Sequence, residues 1–339
     1  MDKLAVIVLN WNGAELLREF LPQVIANSQL AEISIWVADN ASTDNSISVL
    51  TNEFPNVKLL QLDKNFGFAG GYNRAIQQIE AEYIVLLNSD AAPEQNWLSP
   101  LIELMDSDSN IAACAPKLLD YKHKNYFEYA GAAGGYIDKF GYVFCRGRIF
   151  STIEEDQAQY DNVEEVFWAT GAALCVRREL FLTTGGLDED FFAHMEEIDL
   201  CWRLKNQGYK IMIQPKSVVY HLGGATLNKS NPRKTYLNFR NNLLMMYKNL
   251  SEDTLKSVMH KRMMLDGLAA GMMLIKFQFS DFKAVWKAHC DFKKMKNTTF
   301  KAKRKTEQSL AIKHQHNEML MKNIVWLHFT GKIKKFSEL

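Results

Sequence analysis

Several groups of side chains in this 339-residue sequence have the types and spacing to do chemistry. Asn88-Ser89-Asp90 closes an apolar run that begins at Tyr83. A carboxylate there can hold Mg²⁺ or Mn²⁺, ions that favour one or two carboxylates completed by phosphate oxygens. The same three residue types also build plain turns. His221 follows a second apolar run and precedes Leu222, Gly223 and Gly224. A neutral imidazole binds first-row divalent ions, and the plainer alternative is a hydrogen-bonded strand end. Glu196, Glu197 and Asp199 crowd one helical stretch. Glu196 and Asp199 share a face at i,i+3, while Glu197 points about 100° away. Like charges so close raise one another's pKa, which suits a general base. A solvated acidic face, with an Asp199 to Arg203 pair at i,i+4, accounts for the same residues.

Two further segments have the chemistry of a nucleotide site. Asp39 ends an apolar run, where it could accept hydrogen bonds from a nucleoside. Its alternative is to cap a helix beginning near Asp44. Gly67, Gly70 and Gly71, with Asn65 and Asn73, form a compact loop entering a helix. Glycines let backbone approach a phosphate, and a helix N-terminus attracts anions. The spacing is not GxGxxG, so no dinucleotide fingerprint is present.

The elements that must position these groups are legible from periodicity. Apolar runs at 4–9, 33–38, 57–62 and 83–87 lack polar alternation, as strands covered on both faces do. Helical segments fit between them at about 14–28, 44–53 and 70–80. Alternating strand and helix predicts an α/β fold with a mostly parallel sheet. Each run is followed by a polar cluster, and the carboxyl ends of parallel strands share one edge, where ligands bind. Residues 110–165 read as irregular with some strands. A strand block at 166–176, a helix carrying Glu196 to Arg203, and a strand from Lys210 through Pro215 to His221 complete the first 232 residues.

From residue 233 the chain reads as a C-terminal α-helical appendage rich in Met, Lys and Arg. It holds 22 of the 40 Lys and Arg but only 8 of the 39 Asp and Glu. The net charge therefore splits as −13 before the boundary and +14 after it. The stretch from Arg262 to Phe279 is apolar but too short to span a bilayer. Phe282, Trp286 and Phe292 follow among Lys283, Lys287, Lys293, Lys294 and Lys296. Such interleaving suits a helix lying on an anionic membrane. The rival reading is that the basic face packs on the acidic first part. No nucleic-acid-binding motif accompanies the Lys clusters, so nucleic acid is not an expected partner. The five cysteines, none in CxxC spacing, suit reduced thiols. With no signal peptide in view, a cytoplasmic location is expected, peripheral at the inner face of the plasma membrane.

The order of these blocks resembles family 2 glycosyltransferases. Val6 to Asn12, Val37 to Asp44 and Asn65 to Asn73 are similar to the family's opening blocks. Asn88-Ser89-Asp90 stands at its DxD position. Gly185 to Phe192 followed by Glu196 to Arg203 resembles the block ending in EDxDLxxR, and His221 to Gly224 the His-Gly-Gly element of the rhamnosyltransferase-like branch. The resemblance spans about residues 4–225 and implies a GT-A fold with inverting transfer from a nucleotide diphosphate sugar. It implies Asp90 as a ligand of Mg²⁺ or Mn²⁺, joined by His221. Asn10, Asn12, Asp39, Asn40, Asn65, Gly67, Gly71, Asn73, Asn88 and Ser89 are expected on the donor side. Trp168, Gly171 and Asp188 are expected on the acceptor side. Two departures stand out: Asn88 replaces the first Asp of DxD, and the family's Glu-Asp pair is Glu196-Glu197. Glu197 holds the base position, with Glu196 as the alternative. The branch suggests dTDP-rhamnose first and a UDP-sugar second, a glycan or lipid-linked acceptor, and bacterial surface polysaccharide synthesis.

A sugar-phosphate nucleotidyltransferase would also use carboxylates and Mg²⁺ on such a sheet. It would place Arg and Lys in a Gly-rich loop after the first strand, and Asn10 to Glu15 has neither. A non-catalytic sugar-nucleotide-binding module would not need Glu196 and Glu197 beside a metal site.

Overall fold

The computed structural model describes residues 1–223 and 231–339, so Gly224 of the His221 block lies outside the described residues. Strands and helices alternate at first: β1 (Asp2–Asn10), α1 (Ala14–Asn27), β2 (Ile33–Asp39), α2 (Ser46–Glu53), β3 (Lys58–Gln61), α3 (Gly67–Gln78) and β4 (Ala81–Asn88). β1 lies between β2 and β4, parallel to both. Its Leu4 to Val8 run is buried from both faces, which is why the run carries no polar alternation. The register sets Asn10 opposite Asp39 and Leu9 opposite Asn88. The polar clusters after β1, β2 and β4 therefore end level, on one edge.

β5 (Ala91–Pro93), α4 (Leu98–Ser107) and β6 (Ile111–Asp120) follow. In 110–165, expected as irregular with some strands, β6 is longer and more central than that expectation. It is ten residues long, nearly all buried, and central in the main sheet. Its sequence, IAACAPKLLD, is rich in Ala and contains Pro and Lys, a poor match to strand propensity. Pro116 has no N–H to give a neighbour. The partner strand bulges there, with Gln214 opposite Pro116 and Val218 opposite Lys117. The rest of the segment forms β7 (Gly135–Asp138), β8 (Val143–Cys145), β9 (Arg148–Ile149) and β10 (Thr152–Ile153) of a small second sheet, then β11 (Glu164–Glu165).

β12 (Ala173–Arg177) is the only strand in the 166–176 block, and α5 (Arg178–Thr183) follows it. β12 runs antiparallel between β4 and β6. This makes the sheet mixed, in the order β11-β13-β6-β12-β4-β1-β2-β3. α6 (Glu196–Asn206) leads to β13 (Lys210–His221), one long strand across Pro215. β13 pairs with β6 along its length, and its end pairs with β5, setting His221 opposite Ala91.

The C-terminal helices are α7 (Pro232–Asn249), α8 (Glu252–Ile275), α9 (Phe279–Asn297) and α10 (Thr299–Leu310). The chain then returns to the sheet. Ile312 N–H donates to Asn206 O at 2.8 Å, and Lys205 pairs with Glu318 at 2.9 Å. β14 (Met319–Leu320) adds to β7, and α11 (Ile324–Phe329) follows. No helix among the described residues is long and apolar enough to cross a membrane.

Part of the basic charge of these helices is buried against the acidic first part. Lys248 Nζ of α7 lies 2.7 Å from Asp188 and 2.7 Å from Asp199 of α6, all three buried. Lys303 of α10 pairs with Asp188, and also with Asp190 at 2.7 Å. A buried charge that loses its partner costs far more than the pair contributes. Lys248→Ala should therefore destabilise the fold by about 3 kcal/mol, the low end for a broken buried pair, since Arg203 and Lys303 remain. Urea unfolding measures this, and a loss under about 0.5 kcal/mol, the level of an exposed pair, would show the network to be dispensable.

Candidate active site

On the donor side, Asn10 and Asp39 meet at the level ends of β1 and β2. Asn10 Nδ2 donates to Asp39 Oδ1 at 2.9 Å. Ser42 N–H and Oγ donate to the same carboxylate at 2.9 and 2.6 Å. Asp39 thus folds its own loop instead of capping α2, whose first turn is met by Asp44 Oδ1. Asn12 adopts φ 51° and accepts Thr43 N–H at 2.7 Å, and Ala41 adopts φ 58°. Two non-glycine residues in the left-handed region within one loop pair are strain of the kind functional sites store.

Asn40 reaches across to the loop before α3. Its Nδ2 donates to Asn65 Oδ1 and Gly67 O, and its Oδ1 accepts Phe66 N–H. Gly67 needs its freedom, with φ +73°. Gly71 serves packing: a Cβ there would lie 2.7 Å from a Leu9 methyl. Asn73 points away from the sheet edge and grips the 185–190 loop, accepting Leu187 N–H and donating to Leu187 O.

Asp90 and His221 meet beyond β4, where Leu222 N–H donates to Asp90 O at 3.0 Å. Imidazole Nε2 lies 3.1 Å from Asp90 Oδ1 and 3.2 Å from Asn88 Nδ2. Imidazole Nδ1 lies 3.3 Å from buried Glu128 Oε1, but outside hydrogen-bonding alignment. Burial works against charge on His221, yet the hydrogen bond to Asp90 and the nearby charges of Glu128 and Asp90 outweigh it and hold the pKa up at about 10. Burial likewise opposes the charge of Asp90, but His221 and the Gly223 N–H keep its carboxyl below the ordinary range. Among the described residues no set of three or more His, Cys, Asp or Glu side chains is arranged to hold a metal. An imidazole held protonated offers no lone pair, so His221 and Asp90 fit Mg²⁺ or Mn²⁺ only where the ion displaces that proton and phosphate oxygens complete the shell.

The acidic helix approaches from the other strand neighbour. Asn88 N–H donates to Ala172 O at 3.0 Å, so the loop before β12 lies against the end of β4. Glu197 sits under that loop: a Cβ on Gly171 would be 3.5 Å from Glu197 Cβ. Glu196 and Glu197 each keep one buried carboxylate oxygen without a hydrogen-bond partner. Burial raises both carboxyls above the ordinary range, and for Glu196 the charge of Glu197 adds to it. Backbone N–H groups of the first turn of α6 and of Gly171 oppose the rise at Glu197. This is not a solvated acidic face. Asp199 is fully buried, bonded to Arg203 Nε at 2.8 Å, to Lys248 and to Asn249.

Two residues expected on the acceptor side are engaged elsewhere. Trp168 is buried, its N–H on Tyr136 O and its ring against Gly135, where a Cβ would come within 2.1 Å. Asp188 binds Lys248 and Lys303 and caps a short turn through Asp190 N–H at 3.2 Å. Both engagements have one cause: the partners lie far away in sequence. Gly171 alone of the three borders the acidic pair.

Sequence reading missed the support of α6. Phe192, His194 and Met195 adopt φ of 66°, 70° and 75° immediately before Glu196. Asn241, fully buried in α7, holds this strained turn by donating to the carbonyls of Phe191, Ala193 and His194 at 2.8–2.9 Å. Two adjacent Asn in the middle of an apolar helix were the available signal. Glu128 carried none.

The mixed α/β sheet, with its parallel strands ending level at a carboxylate-bearing edge, has the GT-A fold. Structural neighbours agree on the fold. GalNAc-T7 with UDP, GalNAc and Mn²⁺ superposes with TM-score 0.57 at 16% identity, over 74% of this chain and 49% of that one. The mannosyltransferase PcManGT from Pyrobaculum calidifontis, with GDP-Man and Mn²⁺, gives 0.53 at 15% identity over 91% and 84%. Residues 5–161 match the model of glycosyl transferase family 2. N-acetylglucosaminyl-diphospho-decaprenol L-rhamnosyltransferase of Mycobacterium tuberculosis is 25% identical over 235 residues, 65% of this chain and 76% of that protein. The low-salt glycan biosynthesis hexosyltransferase Agl10 of Haloferax volcanii is 21% identical over 249 residues, 72% and 75% of the two chains. The chain is a glycosyltransferase similar to family 2 and, within that family, to the rhamnosyltransferase branch. The nucleotidyltransferase alternative is not favoured.

Asn241→Ala should release the 191–194 carbonyls and let the turn relax. The rate with saturating donor is expected to fall at least tenfold while donor affinity holds, at a stability loss of about 1–3 kcal/mol for the unpaired carbonyls. Unchanged turnover in a folded variant would show that the turn needs no such clamp.

Proposed function

We propose that this chain is an inverting, divalent-metal-dependent transferase that moves a sugar from a nucleotide diphosphate to an acceptor hydroxyl. The observation that carries the reading is Glu197, whose partly unsatisfied, raised carboxyl borders the same strand end as Asp90 and His221. Asp90 and His221 are the residues that would hold Mg²⁺ or Mn²⁺. A divalent ion there supplies positive charge to the departing diphosphate. Glu197 takes the acceptor proton as the acceptor oxygen bonds to C1, and the bond from C1 to the phosphate oxygen breaks on the opposite face. Asn12, Asp39, Asn40, Asn65 and Gly67 shape the nucleoside and phosphate side, with Asn10, Gly71 and Asn73 supporting them. Asn88 and Ser89 lead the strand into the metal ligand.

Residues 1–232 carry this chemistry in the proposed division, and 233–339 brace it. The named relatives favour dTDP-rhamnose and a lipid-linked acceptor, and the neighbours widen the donor set to UDP- and GDP-sugars. The glycan biosynthesis named for Agl10 supports a part in surface polysaccharide synthesis. Met272, Ile275, Phe277 and Phe279, exposed at the end of α8 and start of α9, give a peripheral contact with an anionic membrane, at its inner face.

Release of free nucleoside diphosphate from dTDP-rhamnose, UDP-sugars and GDP-mannose, with and without Mn²⁺, tests the reading. Asp90→Ala should abolish turnover while the fold persists. Full activity of that variant, or of the wild type in excess chelator, contradicts the metal assignment. Glu197→Gln should lower the rate about 10²–10⁴-fold with donor binding intact. A loss seen only in Glu196→Gln exchanges the roles of the pair.

The same carboxyl sets the pH dependence. The base form is lost as the raised pKa is crossed on acidification, so the acid limb of kcat/KM should lie above about 4.3, the value of a free Glu. Coupling to Glu196 makes that limb a property of the pair. An acid limb at or below the free-Glu value would remove Glu197 from the role.

A further inference from the structure

Outside the sheet edge, the first turns of α7 and α9 border an open cavity of about 570 Å³. Arg233, Arg240, Lys283 and Lys287 line it, together with Tyr236 and Phe192. Among the described residues none of these four cations forms an ion pair with a carboxylate. Arg233 lies over the Phe192 ring at 4.9 Å and Lys287 over the Tyr236 ring at 5.2 Å. Arg240 donates to the Tyr236 hydroxyl at 3.3 Å and to the carbonyls of Asp190 and Phe191 at 3.0 Å. The carboxylates nearest in the sequence and packing, Asp281 and Asp291, do not line the cavity. They accept from Thr235 Oγ1 at 2.7 Å and Tyr236 OH at 2.6 Å. Four cations gathered with no carboxylate in the lining suit a multiply charged anion, and guanidinium forks match phosphate oxygens. The opening turns of two long helices, at Pro232 and Ser280, add N-terminal dipole to the same space.

Two neighbours of the cavity say what kind of phosphate fits. Phe192 is one wall, and its carbonyl lies 3.6 Å from where a Gly67 Cβ would stand. The strained turn from Phe192 to Met195 then leads straight to Glu196 and Glu197. One wall of the cavity thus belongs to the turn that leads into the acidic pair. On its outer side the chain entering α9 exposes Ile275 and Phe277 to 78% and 80%, with Phe279 half exposed one residue before Ser280. A ligand bridging the two would be anionic at one end and apolar at the other.

We propose that this cavity is an acceptor subsite that holds the diphosphate of a lipid-linked sugar, its apolar chain leaving over the α8–α9 turn. The proposal rests on the transferase reading for the word acceptor, but its test reads binding without turnover. Calorimetry in EDTA at low salt would titrate inorganic pyrophosphate, geranyl diphosphate and geraniol into the full chain. Chelation disables the proposed donor site and leaves the cavity intact. Geranyl diphosphate should bind more tightly than pyrophosphate, and geraniol should not bind measurably. Lys283→Ala/Lys287→Ala, at two exposed positions, should weaken both anions at least tenfold, Lys283→Arg/Lys287→Arg should restore them, and Asp90→Ala should change neither. Unchanged affinity in the alanine pair overturns the site. Loss of binding in Asp90→Ala places the anion with the donor instead, and also overturns it. Displacement of geranyl diphosphate by phosphatidylglycerol vesicles, with no displacement by phosphatidylcholine vesicles, makes this a headgroup site and overturns the acceptor role. If no nucleotide sugar is cleaved while the calorimetry holds, the transferase reading fails and the diphosphate site stands.

Discussion

The ammonium of Lys248 stands between Asp188 and Asp199, and much of the molecule is arranged around that contact. Asp199 belongs to α6, the helix that begins with the acidic pair. Asp188 belongs to the loop that Asn73 ties to α3. Lys248 belongs to α7, the first of the C-terminal helices. Three charges buried together carry a large desolvation cost, which hydrogen bonding must offset if the fold is to keep them. Arg203, Lys303 and Asn249 complete the set. Because a buried ion without its partner is so unfavourable, these elements can come together in few other ways. Burial of Lys248 and Lys303 also accounts for part of the charge split between the two halves, by packing. The exposed Lys283 and Lys287 are not accounted for in that way.

That fixed base lets the turn before α6 hold three consecutive-region outliers of backbone geometry. Left-handed non-glycine residues cost of order 1–3 kcal/mol each and persist where surroundings over-determine them. Asn241 and Arg240 are those surroundings, through five carbonyl hydrogen bonds to residues 190–194. The consequence is that Glu196 and Glu197 enter the helix at its positive end, yet remain buried enough to be hard to ionise. A base must be both available and reluctant to stay charged, and the turn supplies the position for that compromise.

The opposite edge is organised by register. Parallel pairing of β1 with β2 and β4 sets Asn10, Asp39 and Asn88 at one level, so loops distant in sequence share one crevice. β13, parallel to β4, then delivers His221 at its end, and antiparallel β12 is preceded by Gly171 on the same side. The end of β4 that leads to Asp90 meets the loop that covers Glu197 because β12 pairs with β4, not because anything near either residue requires it.

The local pattern of the sequence was enough for β1, β2 and β4, the first three helices and the polar clusters after the strands. Continuous apolar runs and 3.6-residue periodicity act over a few residues, so they can be read there. The order of the motifs likewise marked Asp90, His221 and the acidic pair. Tertiary structure alone decided the rest. β6 is a strand because its neighbours bury it, against its own Ala- and Pro-containing composition. Glu128 comes within reach of His221 across 93 positions, and Lys248 reaches Asp188 across 60. Whether Asp188 faces a substrate or a lysine, and whether Trp168 faces solvent or Gly135, depends on which distant element occupies the adjoining space. No local rule carries that information, because packing is settled only when the whole chain competes for the same volume.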